Sequence, residues 1–274
     1  VTSDSAVRPG RPAVRHPYLD HPGPLAFAHR GGSLGGPENS MAAFEQAVRL
    51  GYRYLETDVH TTADGVLVAF HDDRLDRVSD GTGSIAQLPW RVVSAARIGG
   101  REPVPTLEEL LDAFPEARFN IDVKAPAAVR PLVDAVRRTH AWDRVCVSSF
   151  SERRLAGVRA AAGPRLATSA GPRDVVALKL RSLARGGLPL ARGARRRAVC
   201  LQVPEFVAGG GDSGPRLVDA AFVETAHALG LQVHVWTVNE ADRMRSLLDL
   251  GVDGIMTDHI DVLRDVLIER GAWF

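Results

Sequence analysis

The sequence predicts a closed (β/α)8 barrel of the α/β class, a TIM barrel, with a hairpin excursion after strand 2. Three observations carry this. From residue 25 onward, short apolar runs alternate with amphipathic segments, the pattern of a parallel sheet with helical crossovers. The runs at 25–29, 54–60, 119–123, 145–149, 165–170, 198–203, 232–237 and 254–257 number eight, one for each barrel strand. Polar residues stand at the C-terminal ends of these runs, where such a barrel builds its catalytic face. An open doubly wound sheet is the alternative topology. It lacks support, because "GGSLGG" at 31–36 has neither the spacing nor the acidic residue of a dinucleotide site.

The helical segments show apolar residues at helical spacing, as in Val129, Leu132, Val133 and Val136, or Val218, Phe222, Ala226 and Leu229. Thr106 with Glu109 makes a capping box after Pro105, and Gly230 and Gly251 follow the last turns of their helices. The run "VLVAF" at 66–70 breaks the alternation. It follows strand 2 after only "TTADG", and a parallel crossover needs about a dozen residues. It must therefore turn back as a hairpin arm about Asp64-Gly65, which carries His71 toward Glu56 and Asp58.

With 274 residues and 45% apolar content the chain can bury a large core, and residues 25–274 read as one barrel domain behind a disordered lead at 1–24. That lead holds no apolar run, so it is neither a signal peptide nor a membrane span, which points to the cytoplasm. Cys146 and Cys200 lie in strand-like runs and read as buried free thiols. A net charge of +1 offers no broad field for nucleic acid or anionic lipid, and "RGARRR" at 192–197 reads as a solvated loop. No nucleic-acid partner and no stable membrane association are expected. Nothing in the sequence specifies an oligomeric state.

The strand ends hold the chemistry. The first ends at His29 and Arg30, the second at Glu56 and Asp58, and the third at Asp122 and Lys124 within "FNIDVK". Later ends carry Ser148 and Ser149, Thr168 and Ser169, Gln202, Trp236 and Thr237, and Asp258. Glu56 and Asp58 are two apart and share a side of their strand, as do Asp122 and Lys124. Three carboxylates facing one another would push their pKa values up, and a hard divalent ion with oxygen ligands, Ca or Mg, resolves this. The competing arrangement is a buried ion network with Arg30 and Lys124. Zinc is disfavoured, since no cysteine and no closely spaced histidine pair is near. Two histidines, a divalent ion and two cations suit phosphodiester cleavage: the cations neutralise phosphoryl oxygens, and the imidazoles give and take protons near neutral pH.

The run "AHRGGSLGGPENSMAAFEQAVRLGYRYLETDVHTTADGVLVAFHDDRLDRVSDGTGSI", with "PTLEELL", "FNIDVKA", "VWTVN" and "GVDGIMTD", resembles the glycerophosphodiester phosphodiesterases over about residues 25–262. The resemblance implies hydrolysis of a small glycerophosphodiester to glycerol 3-phosphate and an alcohol. It implies that His29 and His71 are the acid–base pair, that Glu56, Asp58 and Asp122 bind the metal, that Arg30 and Lys124 hold phosphate, and that Trp236 lines the cleft. There is one departure. Asp122 stands where many members have Glu, one methylene longer, so direct ligation requires a shift or an intervening water. Glu38 of "PEN" either contacts substrate or orients Arg30. The glycines of "HRGG" are expected to let backbone and substrate approach closely.

Two other readings share these residues. A phospholipase D-like lyase resembling the sphingomyelinases D shares the barrel, two histidines and a Mg site, but acts on lipid surfaces and carries disulfides. A phosphate-ligand binding protein on the same fold would have lost the chemistry, against the presence of both histidines and all three acids. The alcohol would be read by the loops at 73–104 and 204–216, the second of which is Gly-rich and expected to be mobile.

Overall fold

A strand of a parallel sheet wrapped in helices is apolar on both faces, and β2 (Tyr54–Thr61) is buried at every position. The computed structural model describes residues 16–32, 36–184, 198–207 and 214–274. In it, β1 (Leu25–Ala28) pairs in parallel with β2 on one side and with the last strand, β11 (Gly254–Thr257), on the other. After the hairpin arm β3 (Leu67–Ala69) and a short ribbon, β4 (Arg97–Ile98) with β5 (Glu102–Pro103), the sheet continues through β6 (Arg118–Val123). It proceeds through β7 (Val145–Ser148), β8 (Ala167–Thr168), β9 (Cys200–Pro204) and β10 (Gln232–Trp236). A parallel bridge between Ser169 and Cys200 joins β8 to β9, and the Ala170 amide donates to the Cys200 carbonyl at 2.8 Å. Eight parallel strands thus meet as a barrel, with β3 antiparallel to β2 in the register Val59 to Ala69.

Helices cross between the strands: α1 (Met41–Arg49), α2 (Trp90–Val93), α3 (Leu107–Ala113), α4 (Val129–Arg138), α5 (Glu152–Ala162), α6 (Pro172–Leu183), α7 (Ala220–Ala228), α8 (Ala241–Asp249) and α9 (Ile260–Glu269). The capping box of α3 forms in both directions, and α4 buries Leu132, Val133 and Val136 against the sheet. One apolar layer separates sheet from helices; a second fills the barrel with Phe27, Tyr54, Cys146, Cys200 and Met256. Both thiols are free and buried. A third cluster, around Phe70, Leu75, Ile85 and Ile98, packs the excursion at 66–104 into a small body beside the barrel mouth.

Two expectations need correction. Residues 16–24, assigned to the disordered lead, carry a 3-10 turn at Pro17–Leu19 whose Tyr18 and Leu19 are buried in the barrel interior layer. The Tyr54 hydroxyl donates to the Tyr18 carbonyl at 2.8 Å, and the His16 ring bonds the Arg165 carbonyl at 2.7 Å. Residues 1–15 and the basic stretch at 192–197 lie outside the described residues. The fifth strand, expected at 165–170, is only Ala167–Thr168. Its Thr168 hydroxyl accepts from Arg159 on α5, and Gln202 of β9 donates to Asn120 inside the barrel at 2.7 Å. Neither residue joins the charged rim.

No helix among the described residues is long and apolar enough to cross a membrane.

Candidate active site

Parallel pairing sets Asp58 of β2 directly beside Asp122 of β6, and Asp122 beside Ser148 of β7, so side chains of one parity share the interior of the rim. Lys124, two residues beyond Asp122, places its ammonium 2.8 Å from both Asp58 Oδ1 and Asp122 Oδ2. Arg30 Nε lies 3.2 Å from Asp58 Oδ2, while its backbone amide donates to Glu56 Oε2 at 3.1 Å. Asn39 donates to the same Asp58 Oδ2 at 3.4 Å.

Local geometry explains how β1 delivers His29 and Arg30. The strand ends in a 3-10 turn at His29–Gly31, with Arg30 itself at φ 52. Gly31 and Gly32 follow at φ +87 and +81, a region that favours glycine. A Cβ on Gly31 would stand 2.7 Å from Ala43 Cβ, and one on Gly32 2.7 Å from Ile260 Cγ2. The glycines therefore admit α1 and α9, a packing role beyond the close approach of substrate expected of them.

Each histidine is held by a carboxylate. His29 Nδ1 is 2.7 Å from Asp258 Oδ1, and Asp258 is itself fixed by Asn239 at 3.1 Å. His71 Nδ1 is 2.6 Å from Asp72 Oδ1. An ionised carboxylate only accepts, so each Nδ1 carries the hydrogen and each Nε2 is the exchangeable nitrogen. The hairpin places His71 as expected: the Phe70 amide donates to the Asp58 carbonyl at 2.9 Å, and His60 Nε2 bonds the His71 carbonyl at 3.1 Å.

The electrostatics follow from burial and neighbours. Burial, with Asp58 beside it, pushes the Glu56 carboxyl up to about 7. Burial also raises Asp122, which Lys124 only partly offsets. For Asp58 burial acts upward too, but Lys124 and Arg30 outweigh it and hold the carboxyl below its ordinary value. Burial would lower His29; Glu56 and Asp258 overcome it and raise the imidazole.

The ion network anticipated as the competitor to a metal is thus formed, with Lys124 as the cation between Asp58 and Asp122. Among the described residues no three metal-ligating side chains stand close enough together to hold an ion. Yet Asp122 Oδ1 is buried with no hydrogen-bond partner among them, and Glu56 carries a raised carboxyl. Both are oxygen donors short of positive charge, so the donor chemistry, though not the present spacing, suits a hard divalent cation.

Glu38 Oε1 accepts from Arg30 Nη1 at 3.1 Å, and both its oxygens accept from Arg77. Its contacts are those of a residue that orients Arg30. Trp236, at the end of β10, is half-buried and meets the exposed ring of Phe150 edge to face, centroids 5.6 Å apart. Asp258, legible in the sequence as the polar end of the last strand, is the partner of His29. Asp72, Asn239, Asn39, Arg77 and Phe150 are neighbours to which the sequence reading gives no role. Of the loop at 204–216, residues 208–213 lie outside the described residues.

Residues 29–262 match the model of the glycerophosphoryl diester phosphodiesterase family. The chain is 45% identical over 266 residues to "Probable glycerophosphodiester phosphodiesterase 2" of Mycobacterium tuberculosis, covering 96% of this chain and 97% of that protein. It is 30% identical to the glycerophosphodiester phosphodiesterase of Caldanaerobacter subterraneus, covering 90% and 99%. Among solved structures, a Silicibacter pomeroyi protein superposes with a TM-score of 0.76 at 25% identity, covering 94% of this chain and 100% of that one. An Oleispira antarctica phosphodiesterase, solved with the product sn-glycerol-3-phosphate, shares the fold with a TM-score of 0.71 at 23% identity, covering 90% and 97%.

Proposed function

Because the chain belongs to the glycerophosphoryl diester phosphodiesterase family and is a glycerophosphodiester phosphodiesterase, we propose that it releases glycerol 3-phosphate by metal-dependent, two-histidine acid–base catalysis. The observation that carries this reading is the pair of carboxylate-held imidazoles, His29 on Asp258 and His71 on Asp72, beside the cluster of Glu56, Asp58, Asp122 and Lys124. The product bound by the Oleispira antarctica enzyme supports glycerol 3-phosphate as the product here.

Arg30 and Lys124 bind the phosphate oxygens, with Glu38 keeping the Arg30 guanidinium in place. One imidazole Nε2 takes the proton of the attacking hydroxyl, either from water, which gives glycerol 3-phosphate directly, or from the glycerol 2-hydroxyl, which gives a cyclic phosphodiester that water then opens to glycerol 3-phosphate. The other gives a proton to the departing alcohol as its P–O bond breaks. His71, on the hairpin arm, is assigned the leaving-group side. Glu56, Asp58 and Asp122 would hold a Ca or Mg ion, which when bound supplies charge neutralisation at the phosphoryl oxygens. Trp236 covers the glycerol carbons with its indole face. The barrel domain acts on a small cytoplasmic diester, without nucleic acid or stable membrane association.

The test is a panel of glycerophosphodiesters with choline, ethanolamine, inositol or glycerol as the alcohol, assayed for glycerol 3-phosphate with Ca, with Mg and with excess chelator. Release that depends on the ion is expected. Full turnover in chelator would remove the metal from the reading, and no release from any member would remove the substrate class.

A further inference from the structure

One side chain outside the expected set touches both halves of the site. Arg77, in the excursion after β3, donates from Nε to Asp72 Oδ2 at 2.5 Å and from Nη2 to Asp72 Oδ1 at 3.1 Å. The same guanidinium donates from Nη2 to Glu38 Oε1 at 2.6 Å and from Nη1 to Glu38 Oε2 at 3.1 Å. Asp72 holds the His71 imidazole, and Glu38 holds the Arg30 guanidinium. A continuous chain of charge-assisted hydrogen bonds thus runs from His71 through Asp72, Arg77 and Glu38 to Arg30.

We infer that Arg77 is a positioning residue that sets the His71 imidazole and the Arg30 phosphate clamp in one geometry. The inference rests on the roles proposed above for His71 and Arg30. Its physical basis is the planar fork of arginine, whose donors fix the planes of two carboxylates at once; a lysine ammonium is a point charge that cannot. Asp72 and Glu38 come from different loops and carry like charge, so without the guanidinium they repel, and each pulls its partner off line. The Arg77 side chain is 48% exposed, and ion pairs so exposed add little to stability. Its contribution therefore falls on turnover, where a displacement of about 1 Å in a reacting group costs on the order of a hundredfold.

The experiment compares kcat and KM for glycerophosphocholine among the full-length wild type, R77A, R77K, the pair D72N/E38Q, and R77A on that pair. R77A should lose about ten- to hundredfold in kcat/KM, R77K should recover little, and millimolar guanidinium should restore part of the R77A loss. On the D72N/E38Q background the same substitution should cost less than about threefold, because its partners are already gone. Turnover of R77A within about twofold of wild type, or an equal loss on both backgrounds, would overturn the inference. Should R77A not fold, R77K carries the same cycle. H71A and R30A serve as controls: normal turnover in either defeats the proposed mechanism, whereas loss in both with an unaffected R77A defeats only the role of Arg77.

Discussion

His29 and Asp258 face each other across the seam where the first and last strands of the barrel pair, with Nδ1 and Oδ1 2.7 Å apart. Burial would raise the Asp258 carboxyl, but its bond to His29 prevails and holds it below its ordinary value. The acid therefore stays ionised and can only accept, which commits the imidazole to one tautomer. Asp258→Asn preserves the shape and loses that commitment. Turnover should fall by about two to four powers of ten with KM little changed, as when the orienting acid of a catalytic histidine is replaced. A kcat within threefold of wild type would show that the tautomer does not matter here.

Removing either imidazole should cost about two to four powers of ten in turnover. The two losses should separate with a nitrophenyl phosphodiester, whose leaving group needs little protonation. His71→Ala should regain most of its rate on that substrate, and His29→Ala should not. Equal recovery of both variants, or of neither, would refute the assignment of His71 as the acid.

The parts of this site that could be read from sequence are those that break a local pattern. His29, Glu56, Asp58, Asp122 and Lys124 interrupt apolar strands, and strand parity alone puts them on one side. His71 is legible because five residues are too few for a crossover. What could not be read depends on contacts between loops distant in sequence. Arg77 and Glu38 are 39 residues apart, and His29 and Asp258 are 229 apart, so no periodicity links them. Thr168 and Gln202 read as rim residues for a related reason: a short fifth strand and an interior polar layer leave the same residue types at a strand end as a catalytic rim does. The metal and its competitor, the ion network, draw on the same carboxylates, and composition does not separate them.

Glu56 gives the proposed metal a thermodynamic signature. Its carboxyl is pushed up from 4.5 to about 7 by burial and by Asp58. A raised carboxyl holds its proton more tightly in the folded state than in the unfolded one. Its stabilising contribution is complete below about 4.5 and is lost as pH climbs through about 7. Without added cation, wild type should lose melting temperature relative to Glu56→Gln across that window, by the equivalent of a few kcal/mol at most. Calcium or magnesium should reverse the loss near neutrality and release a proton on binding below it. A constant difference between the two proteins over this range, unaltered by either ion, would contradict both the shift and the site.

Tyr18 offers a test of the barrel floor that does not involve the reaction. Its ring is fully buried and meets Tyr54 edge to face at 5.5 Å, in the layer that also holds Phe27, Cys146 and Cys200. The segment that carries it, "HPYLDHPGP", has only Tyr18 and Leu19 to bury, too few for any pattern to reveal. The ring and the hydroxyl should contribute with opposite sign. Truncating a buried aromatic to Ala removes its area and leaves a cavity, a cost of about 3–5 kcal/mol. The hydroxyl, however, is buried without a hydrogen-bond partner among the described residues, and an unpaired buried hydroxyl costs about 1–3 kcal/mol. Denaturant unfolding should therefore show Tyr18→Ala strongly destabilised and Tyr18→Phe equal to or more stable than wild type, with folded Tyr18→Phe keeping normal kcat. If Tyr18→Phe lost stability comparable to Tyr18→Ala, the hydroxyl would have a partner, and the segment at 16–24 would be held to the barrel by that bond rather than by the area its ring buries.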